Sequence, residues 1–493
     1  MERQTLAAPD RRRFIGGLLV AAAALAAPAC ASAQAARSVL DAVPAALRAA
    51  IANGSVRADL APYFDRAARE AVSSGMALRV PAGTYTMLTW SPPAGLTVLT
   101  DGRATVFRQL DTRGRGQRFI VVSADGVRLW PGGAATIDGG MTARGTNATG
   151  FNSGVYVYAG PGARIGRFEC GDVYGRNLGG DVVETGCDAR GFLGSCTIGT
   201  IYGDNVYRNC LSVTSGAAGT VAGVIQTGGC GLYTADFEPD PTSAPIGSWT
   251  VGTVRGHRLG VGGAPAVGIG SVTIRDLDLD RARPSSIPPL DGGGVSERKT
   301  PSLFNVGIRY AGVGTLRVDR ASIRGFSRAA IEDITERPQD RVSGQVSFGS
   351  LTIANCGSAT NYQVITHKTR QFAVDTIEAS TKSSPAIATF LGGDAMTAFT
   401  VRGGRVSGRV VSQSLGSFEA SGLTISGAGQ PAFQNVRGRM RLSNSKAAGA
   451  SVLIADSPGS IDVESSDVTG GLLSSGSNGI RLRASRVNGR AAG

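Results

Sequence analysis

The chain has 493 residues, a formal net charge of +13, 71 glycines and only 6% aromatic residues. That length allows two or three ordinary domains or one elongated one. Glycine at about twice its usual share, without an every-third-residue period, excludes collagen and points to many tight turns. The positive charge is nearly all arginine, since Lys299, Lys368, Lys382 and Lys446 are the only lysines. A basic surface favours polyanionic partners, although arginine-biased codon usage would give the same count. No lysine-rich run or aromatic–basic interleaving marks a nucleic-acid groove.

Residues 1–33 read as an export signal. Asp10-Arg-Arg-Arg-Phe-Ile-Gly16 precedes an apolar run from Leu18 to Ala27 and a small-residue cleavage pattern at Ala31-Ser-Ala33. The Arg-Arg-x-Phe-Ile order resembles a twin-arginine signal, which implies export in the folded state and a periplasmic or secreted mature protein. Cys30 follows Ala-Pro-Ala, a weaker match to a lipoprotein anchor. The apolar run is too short to span a bilayer, and no later run is longer, so no transmembrane segment is expected.

Residues 34–95 are expected to form an N-terminal helical cap and a first coil. Phe64, Ala67, Ala68, Ala71 and Val72 fall at helical spacing, and Pro62 suits a first turn. Leu78-Arg-Val-Pro-Ala-Gly-Thr-Tyr85 then reads as strand, turn and strand. Residues 96–493 carry only short strands between glycine and polar turns. Apolar pairs two residues apart recur at Phe372/Val374, Phe399/Val401, Phe418/Ala420, Met440/Leu442, Ile461/Val463 and Ile480/Leu482, at intervals of 27, 19, 22, 21 and 19 residues. Trp249/Val251, Val272/Ile274, Leu316/Val318 and Val346/Phe348 are earlier, less regular members. Further strands such as Leu423-Thr-Ile425 and Val452-Leu-Ile454 make three per repeat. That predicts an all-β chain built as a parallel β-solenoid, whose units bury their inner faces only by stacking. The Pro- and Gly-rich stretch from Arg281 to Phe304 is expected to be a long loop, either a cleft wall or a plain excursion.

Beyond Cys30, six cysteines remain: Cys170, Cys187, Cys196, Cys210, Cys230 and Cys356. In an oxidising compartment they suit disulfides; in a solenoid they equally suit a column of buried thiols. With no Cys-x-x-Cys pair, and with His257 and His367 the only histidines, a zinc site is not expected.

The chemistry-bearing stretch is Arg208-Asn-Cys-Leu-Ser-Val213 followed by Ala235-Asp-Phe-Glu-Pro-Asp240. Strand alternation puts Asp236 and Glu238 on one face and Ala235 and Phe237 on the other. Aligning Leu211-Ser-Val-Thr214 with Ala235-Asp-Phe-Glu238, and Val183-Glu184 one unit lower, places Glu184 on the same face, roughly 10 Å away at about 4.8 Å per strand step. His257, Arg258, Arg309, Tyr310 and Glu332 follow above. Tyr233 and Tyr310 are candidates for stacking on sugar rings, whereas Trp249 fits an inward, core position.

The chain resembles the pectate-lyase-like, right-handed parallel β-helix superfamily. The resemblance rests on Val80-Pro-Ala-Gly-Thr-Tyr85, on Ile137-Asp-Gly-Gly140 and, most specifically, on Arg208–Val213 and Asp236–Asp240. It implies an exported protein acting on, or belonging to the assembly of, a polysaccharide. The polygalacturonase motifs are absent, with Arg255-Gly-His-Arg258 only an echo, and so is the calcium-dependent pectate lyase pattern; fold does not fix chemistry.

The resulting expectation is a polysaccharide-degrading enzyme, either glycoside hydrolase or polysaccharide lyase, acting on an extended glycan, acidic glycans included. Asp236, Glu238, Glu184 and His257 are its candidate catalytic residues, and Arg258, Arg309, Tyr310 and Glu332 its candidate substrate contacts. In hydrolysis crowded carboxylates supply acid and base; in elimination His257 or an arginine would take the proton beside a uronate. Asp236, Glu238 and Asp240 are also a candidate oxygen set for calcium, the only cofactor the sequence offers. A purely structural role for the acids, in a non-catalytic solenoid that binds or helps assemble an exopolysaccharide, is the alternative.

Overall fold

The computed structural model describes residues 35–492 apart from 113–114, 142–146, 148, 263–266, 284–304, 335–340, 358–362, 381–389, 393–397, 408–415, 427–437, 449–451, 456–460, 471 and 476–479. The expected signal at 1–33 and nearly all of the expected loop at 281–304 lie outside the described residues.

Three helices come first: α1 (Val39–Ala42), α2 (Ala45–Ala52) and α3 (Ala61–Ser73). In α3, proline sits in the first turn, where no intrahelical donor is needed, and Phe64, Ala67, Ala68 and Ala71 are buried. Phe64 meets Tyr85, Trp90 and Phe107 edge-on, at centroid distances of 5.5, 5.2 and 6.0 Å. Val72, assigned to the same helical face from spacing, is instead partly exposed.

Beyond α3 the described chain is predominantly parallel β-structure in long stacked sheets, consistent with an all-β parallel solenoid. It passes alternately through two of them. One contains 25 described strands; the other contains ten, which we number β1 (Ile120–Val122), β2 (Val155–Ala159), β3 (Val183–Cys187), β4 (Leu211–Val213), β5 (Ala235–Phe237), β6 (Leu259–Val261), β7 (Val306–Tyr310), β8 (Ala329–Asp333), β9 (Val364–Thr366) and β10 (Phe390–Gly392). The apolar pairs seen in the sequence are true register partners in the larger sheet. Trp249 pairs with Val272, Val272 with Leu316, Leu316 with Val346 and Val346 with Phe372. The line continues through Phe399, Phe418, Met440, Ile461 and Ile480.

The expected three short strands per repeat hold toward the C-terminus. In the central repeats the first two merge into one long strand, as in Arg164–Leu178 and Phe192–Val206. Asn177 and Asn205 take left-handed backbone near the ends of these strands, a conformation asparagine tolerates better than most residues. The Asn205 amide donates to Asn177 Oδ1 at 2.8 Å, linking one turn to the next.

Neighbouring strands about 4.8 Å apart leave no room for mismatched volumes. Trp249 is completely buried and fits because its neighbour one strand back is Gly219, where a Cβ would stand 2.2 Å from the indole ring. The six described cysteines are all buried and free, so they pack as thiols in the core, and burial raises the Cys196 thiol to about 12. Outside the larger sheet many arginines face acids. Arg324 reaches Asp280 at 2.7 Å and Asp278 at 3.2 Å, and Arg320 reaches Asp276 at 2.5 Å. Part of the arginine excess is thus spent in exposed pairs, each contributing little to stability.

Candidate functional site: an acidic column on the smaller sheet

Period-two alternation builds the site. In β5, Ala235 and Phe237 are fully buried in the core, so Asp236, between them, must face the other way, with Glu238 following at the strand's end. Successive register pairs then define a column: Val121, Tyr156, Glu184, Ser212, Asp236, Gly260, Arg309, Glu332 and Ile365. The alignment of Glu184, Ser212 and Asp236 made from the sequence is the one observed.

The column is less open than its residue types suggest. Glu184 is 7% exposed, Asp236 4% and Glu332 3%, while Glu238 and Asp240 reach solvent. Arginines and tyrosines from the turns before the strands cover it. The Ser153 hydroxyl donates to Glu184 Oε2 at 2.6 Å, and Arg118 Nη2 lies 3.6 Å from Glu184 Oε1. The Arg118 guanidinium stacks over the Tyr156 ring at 4.5 Å. Tyr233 carries Arg258 over its ring at 4.7 Å and accepts a hydrogen bond on its hydroxyl from Arg309 at 3.4 Å. Gly260 leaves the space that Asp236 and Tyr233 fill, since a Cβ there would stand 2.3 Å from Asp236 Oδ1 and 3.3 Å from Tyr233 Cδ1.

A second row lies three residues upstream. Asp181, Asn209, Tyr233 and His257 precede Glu184, Ser212, Asp236 and Gly260 by the same offset. Asp181 is fully buried, accepts the Asn209 N–H at 2.9 Å and lies 3.7 Å from Arg208 Nη1. Asn209 in turn accepts the Tyr233 N–H on Oδ1 at 2.9 Å. Asp181 is not among the candidate residues read from the sequence, and Arg208, which opens the chemistry-bearing stretch, has no role assigned there. The signal was present: the spacing that stacks Glu184 on Ser212 also stacks Asp181 on Asn209.

Burial raises the Asp236 pKa well above the usual carboxylate range, and the charge of Glu238 pushes the same way. Glu238 is also raised, chiefly by crowding among protein atoms despite its solvent access; Arg208, Arg309 and a hydrogen bond with Asp236 act to hold it ionised. Asp181 is raised to about 7, again mainly by burial, with Arg208 opposing. Both carboxyls are therefore pushed up, Asp236 the more strongly, with Glu238 the accessible partner.

Three expected site residues lie elsewhere. Tyr310 is fully buried with its hydroxyl 2.8 Å from Thr369 Oγ1; it neighbours Arg309 in β7, so alternation sends it into the core and it does not contact a ligand on the column. His257 is fully buried, with Nδ1 2.7 Å from Gln226 Oε1 and Nε2 2.9 Å from Leu232 O. Burial drives its pKa well down, which leaves a neutral, enclosed ring in place of an exposed base. Arg258 is likewise fully buried, donates to Leu232 O and stacks on Tyr233; burial lowers its pKa to about 10. It supports the column from beneath. Arg309 and Glu332 do lie on the column, Glu332 accepting from Arg328 Nε at 2.8 Å.

Among the described residues no group of three or more His, Cys, Asp or Glu side chains is arranged to hold a metal ion. No described helix is long and apolar enough to cross a membrane.

Fold and site together define an all-β protein of stacked parallel sheets with a guanidinium-flanked acidic column on one of them. Comparison with protein-family models, with curated proteins and with solved structures gave no match.

Proposed function

We propose that this protein is an exported glycan hydrolase, with the exposed end of the acidic column as its active centre. The observation that carries this reading is the unequal carboxyl pair: a nearly buried Asp236, pushed well up by burial, beside a solvent-reaching Glu238 whose smaller upward push is opposed by Arg208 and Arg309. Carboxyls that share a hydrogen bond are closer than the about 5–5.5 Å of a retaining pair, so Asp236 and Glu238 act as one proton-sharing unit that protonates the leaving oxygen. Glu184, two strand steps or roughly 10 Å away, is then the general base that activates water, a separation near the wider, inverting arrangement. Of the bases elimination would use, His257 and Arg258 are enclosed and Arg309 alone lies on the column, so the carboxyl pair makes hydrolysis the favoured chemistry.

A right-handed, pectate-lyase-like solenoid capped by α1–α3, exported by a twin-arginine signal at 1–33, fits this reading. A second reading, a non-catalytic glycan-binding solenoid, is favoured by the burial of Glu184 and Asp236 under hydrogen bonds. Glu238→Gln separates the two. The hydrolase loses release of reducing ends while still binding its glycan; the binding module releases none before or after substitution.

A further inference from the structure

Asp181 is a completely buried carboxylate that the proposed chemistry leaves unused. Its Oδ1 accepts the Asn209 N–H at 2.9 Å, whereas its buried Oδ2 accepts no hydrogen bond and faces Arg208 Nη1 at 3.7 Å. Its own N–H points to Ser153 Oγ at 3.4 Å, the hydroxyl that also donates to Glu184. The charged groups around it are thus Arg208 from the turn before β4, Glu184 from β3, Arg118 from the turn before β1 and Asp236 from β5. Arg208 is the hub of this set: its guanidinium is felt by Asp181, Glu184, Asp236 and Glu238, with Asp181 the strongest.

We propose that Asp181 is a positioning residue that draws the Arg208 guanidinium to its own side and so sets how much of that positive charge reaches the Asp236–Glu238 pair. The inference rests on the reading of that pair as the active centre. While Asp181 is ionised, it partly neutralises Arg208 and adds its own negative field, and both effects help Asp236 keep its proton. When Asp181 is neutral, the full charge of Arg208 falls on the pair and favours its ionised form.

The test follows the carboxyl carbons of Asp236 and Glu238 by NMR titration of the selectively labelled full chain, with resonances assigned through Asp236→Asn and Glu238→Gln. Asp181→Asn keeps the acceptor for the Asn209 N–H and is expected to move the titration of the pair down by about one pH unit. Arg208→Gln, at a partly exposed side chain, is expected to move it up, and it tests the same coupling if the Asp181 variant does not fold. Folded variants that leave the pair's titration within a few tenths of a unit of wild type overturn the proposal. The active-centre reading is judged separately. If the titrations shift but no glycan is cleaved, Asp181 keeps its positioning role and the hydrolase reading falls. If cleavage is lost in Glu238→Gln while Asp181→Asn moves neither the titration nor the pH profile, the opposite holds.

Discussion

Adding one methyl group at Gly260 probes whether Asp236 is held where the column requires. A Cβ built there stands 2.3 Å from Asp236 Oδ1 and 3.3 Å from Tyr233 Cδ1. The aspartate must retreat by about 1 Å to restore ordinary van der Waals contact. It has little freedom to do so: Asp236 is only 4% exposed, with Ser212 in register on its other side and Phe237 locked in the core. Overpacking of this kind costs about 1–3 kcal/mol. In an Asp236→Ala background the clashing oxygen is gone, and the same Gly260→Ala change should cost well under 1 kcal/mol, since alanine suits a strand better than glycine does. Equilibrium urea unfolding of wild type, both single variants and the double variant closes the cycle, with an expected coupling of about 1–3 kcal/mol. If Gly260→Ala costs the same in both backgrounds, to within about 0.5 kcal/mol, the side-chain placement at the column is wrong.

Two further outcomes follow from burial. Because the Asp181 carboxyl has a pKa of about 7 in the folded chain against an ordinary 3.8, the native state binds the proton more tightly. That contribution favours folding at acid pH and is lost as pH rises from about 4 through about 7. At 1.36 kcal/mol per unit the difference amounts to roughly 4 kcal/mol. Urea unfolding should therefore show Asp181→Asn gaining stability relative to wild type between about pH 4 and pH 8, and a constant difference across that range contradicts the assignment. Trp249→Ala, which empties the space opposite Gly219, should lower stability by about 3–5 kcal/mol; a loss below about 1 kcal/mol would show that the indole is not packed inside.

Much of this arrangement is legible in the residues because a parallel stack makes distant sequence local. The ladder from Trp249 to Ile480 and the column from Glu184 through Ser212 to Asp236 follow from counting alone. Alternation also decides between Arg309 and Tyr310, which are adjacent in one strand, so only one of them can face the column. What counting does not reveal is the cover. Arg118, Arg208 and Tyr233 sit in turns, where no period fixes direction, and their positions depend on acids brought together from separate repeats. The enclosure of His257 has the same origin, since its ring is held by Gln226 from the larger sheet and by the carbonyl of Leu232. Burial of Asp236 and Glu184 is thus a property of the assembled turns, and at Asp236 it pushes the carboxyl well above its ordinary range.

The central claim is that Glu238, backed by Asp236, breaks a glycosidic bond. The most direct measurement incubates wild type and Glu238→Gln with a panel of neutral and acidic polysaccharides, following reducing ends together with the ultraviolet absorbance of an unsaturated product. Wild type is expected to release reducing ends without that absorbance from at least one glycan, and Glu238→Gln to lose the release by a hundredfold or more while the protein stays folded. Release that persists in Glu238→Gln, an unsaturated product, or no release from any glycan in the panel would contradict the claim.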